Sequence, residues 1–173
     1  MNAIYVPPAE NPWILNFAAL ATIQPHSTSV IHDEFRYALL SLASIDKEHA
    51  KSETVGLSKS FKTQALKLMQ VATDADLIDS ATIEADIAVA ASIALFTRDV
   101  SLEVLPCRRS QFNPNIAFCL QKFDGDESWE ISLTCGDSVI KRSGGPVPFL
   151  DLRDTPTRRF LVEQLVCLEI LGQ

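Results

Sequence analysis

Glycine is scarce in this chain, six residues in 173. That scarcity removes whole classes of chemistry. There is no glycine-rich phosphate loop, no dinucleotide fingerprint and no serine elbow set off by glycine. Cysteine and histidine are also few. Cys107, Cys119, Cys135 and Cys167 include no Cys-x-x-Cys pair, and His26, His32 and His49 stand at no metal-binding spacing from them. No metal site and no cofactor are therefore expected.

Positive charge is in deficit, with 15 Lys and Arg against 22 Asp and Glu and a net charge of −7. DNA-binding proteins hold the duplex largely through Lys and Arg on phosphates. The densest basic clusters here, Arg108-Arg109 and Arg153 with Arg158 and Arg159, have acidic neighbours. Direct nucleic-acid binding is not expected. Long apolar runs are missing as well. The nearest, residues 83–96, carries Glu84 and Asp86 and falls short of the ~18 uncharged residues that suggest a membrane span. The start lacks the basic residues and apolar run of a secretory signal, so an intracellular location, cytoplasmic or nuclear, is expected.

What is present is helical patterning. Apolar residues make up 47% and charged residues 21%, values of a globular protein. The length fits one domain, read here as residues 11–173 behind an extended arm at 1–10 that contains Pro7-Pro8. Trp129, Leu133, Gly136 and Ile140 fall at i, i+4, i+7 and i+11, one stripe of a helix. An inward glycine costs about 1 kcal/mol relative to alanine, so another backbone is expected to pass close to Gly136. Gly144-Gly145-Pro146 should then stop the helix.

The remaining pattern predicts an all-α, single-domain helical bundle of about six or seven helices. Asn11-Pro12 caps and opens a helix over 12–22. A second runs from the Ser27, Thr28, Ser29 caps to about 48, with Asp33 and Glu34 suiting its dipole. A third spans 58–72 with Lys59, Lys62 and Lys67 on the wet side. A fourth spans 80–96, apolar on two sides and so central. Residues 97–115 read as a long connection, 116–123 as a short helix, 124–127 as a turn and 147–150 as extended. Thr155-Pro156 opens the last helix, with Gly172 as its terminator.

Two regions together resemble the fungal-specific transcription factor domain of the second type, the regulatory region of fungal zinc-cluster transcription factors. The first is Asn11-Pro12-Trp13 to Leu20, followed by Phe35 to Ala43. The second is Gly125 to Trp129, then Leu133, Gly136, Val139-Ile140 and Gly144-Gly145, with 159–163 and 168–172 resembling the family's next helix. The resemblance implies an all-helical domain that receives regulatory signals or dimerises. The family's cysteine-rich DNA-binding module does not appear. The resemblance therefore implies a truncated, free-standing form without direct DNA contact, its open face covered by a second copy in a homodimer.

Candidate catalytic groups are Asp86, Asp137 and His32. Asp86 lies near the second apolar stripe of the fourth helix; buried, it needs a partner and its pKa rises, and otherwise it is a helix-edge residue. Asp137 follows the inward Gly136 and faces either a cavity or solvent. His32, with Asp33 and Glu34, places acid and base groups in one turn, although a helix start explains the carboxylates alone. Trp13, Phe17, Tyr37 and Trp129 line either an apolar ligand pocket or a plain core. Two functions follow as expectations. One is a non-enzymatic regulatory domain binding a protein partner or small apolar effector. The other is a cofactor-free isomerase or cyclase of fungal secondary metabolism, which promotes reaction by holding an apolar substrate in a near-attack shape. An enclosed apolar cavity of about 300 Å³ or more would admit the second.

Overall fold

The structure, a computed structural model, describes residues 12–22, 29–50, 56–109 and 128–171. The expected arm over 1–10, the helix over 116–123, the turn over 124–127 and the Gly172 terminator lie outside these residues. Seven helices are described: α1 Pro12–Thr22, α2 Val30–Ala50, α3 Leu57–Asp74, α4 Ile83–Arg109, α5 Ser128–Arg142, α6 Pro146–Leu152 and α7 Pro156–Leu171. No strand occurs among the described residues, and the chain is an all-α helical bundle.

α4 is the axis of the bundle. Every residue over 85–96 is buried, so this stretch of the helix has no wet face. Its five alanines in that span, among larger Ile, Val, Leu and Phe side chains, let neighbours approach from all sides. α2, α3, α5 and α7 pack around it. α2 and α3 form an antiparallel pair along one side, and α1 lies across α2 and α7. There Phe17 meets Phe35 edge to face, with ring centroids 5.9 Å apart.

Two helix ends share one backbone device. At the end of α5 the Gly145 amide donates to the Ile140 carbonyl and the Gly144 amide to the Lys141 carbonyl, 3.1 and 2.9 Å. At the end of α3 the Leu77 amide donates to the Ala72 carbonyl and the Asp76 amide to the Thr73 carbonyl, 3.0 and 3.2 Å. Both satisfy carbonyls left over at a helix terminus, through a residue in the left-handed region. Gly144 takes that place in α5 at φ 93°, and Asp76 takes it in α3 at φ 49°.

Three local expectations are corrected. Residues 97–109 are not a connection, because α4 runs on to Arg109. Between residues 83 and 109 there is no glycine, and Pro106 sits only in the last turn. Residues 147–150 are helical rather than extended. Pro146 and Pro148 both fall in the first turn of α6, where the amides they lack have no partner in any case. Lys62 does not face water: it is 7% exposed, and Nζ donates to both Asp99 carboxylate oxygens at 2.9 and 2.8 Å.

Gly136 faces inward as the spacing predicts, but it meets a side chain rather than a backbone. A Cβ there would lie 3.0 Å from Ser92 Cβ and 3.1 Å from Ser92 Oγ on α4, and 3.4 Å from Leu165 on α7. Glycine sets the α4–α5 distance. Gly136→Val should therefore destabilise the fold by about 1–3 kcal/mol through overpacking, read as a shift in the urea midpoint at unchanged slope. The pair with Ser92→Gly should recover part of the loss.

Candidate functional site

The interior of the bundle holds charge at three levels along α4. At its start, Asp86 is 1% exposed and Arg158 on α7 is fully buried. Arg158 Nε donates to Asp86 Oδ1 at 2.5 Å, and Arg153 Nη1 to Oδ2 at 3.0 Å. The rest of the Arg158 guanidinium donates to the carbonyls of Ser80, Phe149 and Thr82 at 3.0, 3.0 and 2.9 Å, and it stacks on the Phe149 ring at 4.1 Å. Burial lifts the Asp86 carboxyl above its ordinary value, and the hydrogen bond and charge of Arg158, then the charge of Arg153, pull against it. Asp86 is thus buried and partnered through both oxygens, which makes it a structural anchor.

Further along α4, Lys62, Arg98 and Asp99 form a second cluster. Arg98 Nη1 donates to Asp99 Oδ1 at 2.6 Å and Nε to Ser58 Oγ at 3.1 Å. Ser58 and Ser41 exchange hydroxyl-to-carbonyl hydrogen bonds of 2.8 Å between α3 and α2. Asp86 and Asp99 are 13 residues apart, about 20 Å along the helix.

Between these clusters stands Glu34 on α2, fully buried. Neither of its carboxylate oxygens has a hydrogen-bond partner. Helical period places its neighbours. Two turns before Ser41 lies Glu34, and two turns past Ser58 lies Ala65. Two turns past Lys62 lies Met69, and two turns before Asp99 lies Ser92, the residue against Gly136. Glu34, Ala65, Met69, Ser92 and Cys135 therefore share one layer of the core. The charge of Glu34 reaches Cys135, whose thiol is pushed up by burial first and by Glu34 second.

Cys135 and Met69 open onto a groove between α3 and α5. Its volume is about 480 Å³, and its lining includes Leu66, Met69, Gln70, Ile131 and Cys135, with Lys67 and Asp74 also at its walls. A second hollow of about 380 Å³ beside α6 and α7 is lined by Asp151, Asp154, Arg159 and Glu163 as well as Val147, Leu150 and Val162. Of its three carboxylates, Asp154 is paired with the Arg159 guanidinium at 2.6 and 2.5 Å.

The other residues singled out from sequence scatter. His32 is buried on α2. Asp33 pairs with Arg36 in solvent at 3.2 Å. Asp137 pairs with Lys141 one turn on, at the edge of α5. Phe17 belongs to the α1–α2 core, and Tyr37 lies against Phe61 at 6.1 Å; neither lines the α3–α5 groove. Trp13 lies on α1 and Trp129 on α5, with side chains outside the described residues. Glu34 is the group that a helix-start reading obscures. The signal for it was its spacing with Ala38, Ser41 and Ile45, at i, i+4, i+7 and i+11 of a buried stripe.

Among the described residues no group of three or more His, Cys, Asp or Glu is placed to hold a metal ion, and no helix is long and apolar enough to cross a membrane. No family model, no curated protein and no solved structure matches the chain.

Two measurements follow. Removing the Arg158 guanidinium by Arg158→Met should cost about 3–5 kcal/mol in equilibrium unfolding, because Asp86 and three carbonyls lose their donor. Burial also holds the Glu34 carboxyl well above its ordinary value of 4.5. From that pH up to the folded value, the native chain keeps a proton that the unfolded chain has released. Stability should therefore fall as pH rises across this window, by at most about 1.4 kcal/mol per pH unit. Glu34→Gln should flatten that part of the slope, leaving the smaller contribution of the same sign from Asp86.

Proposed function

We propose that this chain is a regulatory-type helical domain, similar to that of the fungal transcription factors it resembles, and that it binds a small apolar molecule in the groove between α3 and α5. The observation that carries this reading is the groove itself. Its volume of about 480 Å³ falls within the range of small-molecule sites, about 300–1,000 Å³. Leu66, Met69, Ile131 and Cys135 give it apolar walls. Asp86 and Asp99, the carboxylates buried on the central helix, are spent on ion pairs and lie outside the groove. The homodimer belongs to the same proposal, with exposed Leu15, Leu40, Val71 and Val147 as apolar side chains for a second copy to cover.

One observation favours the cofactor-free isomerase or cyclase as a second reading. Burial keeps the Glu34 carboxyl protonated above the ordinary range, the state a general acid needs, and Glu34 lies in the layer behind the groove.

A neutral fluorescent dye, Nile red, separates the outcomes. The purified protein should take up one equivalent with a rise in fluorescence. Ile131→Glu, a change at a residue 53% exposed, should abolish uptake without unfolding the chain. Uptake unchanged in that variant would remove the groove from consideration. Conversion of an apolar metabolite by the wild-type protein, lost in Glu34→Gln, would install the enzyme in place of the regulatory domain.

A further inference from the structure

The groove has apolar walls, yet the layer behind it contains a carboxyl group with nothing to bond. Glu34 is fully buried, and both Oε1 and Oε2 lack partners. An unsatisfied buried carboxyl is costly, and more so when charged. The other fully buried charged side chains described above, Asp86 and Arg158, are paired with each other, and the nearly buried Lys62 is paired with Asp99. A fold that satisfies its interior so consistently has left one position open.

We propose that the α3–α5 groove receives an apolar molecule bearing a primary amine, and that Glu34 takes its ammonium group. The inference rests on the groove reading above and adds the ligand's chemistry. Two unpartnered oxygens ask for a ligand with more than one donor, and a primary ammonium carries three N–H groups and no acceptor. A hydroxyl offers one donor. A carboxylate offers none, and at the groove wall it meets the like charge of Asp74. Lys67 stands exposed at the same wall, away from the buried layer.

Of the groove's lining, Met69 and Cys135 share the layer of Glu34, whose charge reaches Cys135. Met69 is 3% exposed. Methionine is unbranched and reorients through three rotatable bonds, so this side chain is the kind that yields. The alkyl body of the ligand would then lie along Leu66 and Ile131.

Competition for bound Nile red by three ligands of equal chain length tests the proposal: octylamine, octanol and octanoate. Octylamine should displace the dye at about tenfold lower concentration than octanol, the margin of a charge-assisted over a neutral hydrogen bond, with octanoate weakest. Glu34→Gln should bring octylamine to the level of octanol and leave octanol unchanged. In the unmutated chain, the Glu34 carboxyl carbon followed by NMR should shift with octylamine and not with octanol, so the contact is read even where the variant fails to fold. Equal potency of amine and alcohol, an amine preference that survives Glu34→Gln, or an unmoved carboxyl signal overturns the assignment. Displacement by octanol in those cases leaves the groove reading standing, whereas failure of all three ligands to displace the dye removes both.

Discussion

The Arg158–Asp86 pair is the constraint on which the rest of the bundle depends. A guanidinium with no exposure to water must find acceptors inside the protein or be absent. Here it finds Asp86 on α4, the carbonyls of Ser80 and Thr82 just before α4, and the carbonyl of Phe149 on α6. One side chain thus fixes α7 against α4 and seats the short helix that follows α5. Its planar fork and stacking on Phe149 are properties lysine lacks.

Burying residues 85–96 of α4 on every side creates the second condition. A helix without a wet face can carry polar groups only where neighbours answer them. The Lys62, Arg98 and Asp99 cluster answers near one end, and the serine pair Ser41–Ser58 extends it to α2. Between the ends, packing is apolar and close, and Gly136 admits α5 to within contact of Ser92. Glu34 stands in that apolar middle, so a single unanswered carboxyl marks the place where structure alone does not account for the residue.

Much of the fold was legible because helix ends announce themselves locally. Asn11-Pro12, Thr155-Pro156 and Gly144-Gly145-Pro146 are signals whose physics lies in a few consecutive residues, and α1, α7 and the end of α5 begin or stop where they say. The central place of the fourth helix followed from its two apolar stripes. Other features depend on distant partners. Lys62 looks like any lysine until Asp99, 37 residues away, is brought against it. Asp76 closes α3 in the backbone shape usually reserved for glycine, which its sequence context does not reveal. The same limit hid Glu34: a carboxylate in an early turn of a helix suits the dipole, and only the stripe it shares with Ala38, Ser41 and Ile45 betrays its direction. The aromatic residues were the least informative, since Phe17 and Tyr37 pack in separate places.

Asp76 has one more consequence. Having turned the chain at the end of α3, it accepts a hydrogen bond from Arg142, the last residue of α5, at 2.8 Å. This contact bridges the two helices that wall the groove, and Asp76 is 85% exposed. Dissolved ions screen such a bridge readily, while the buried pairs inside are shielded from them. The two helices that wall the groove are therefore joined beyond its lining by a contact that the surrounding electrolyte can loosen, while the buried pairs hold.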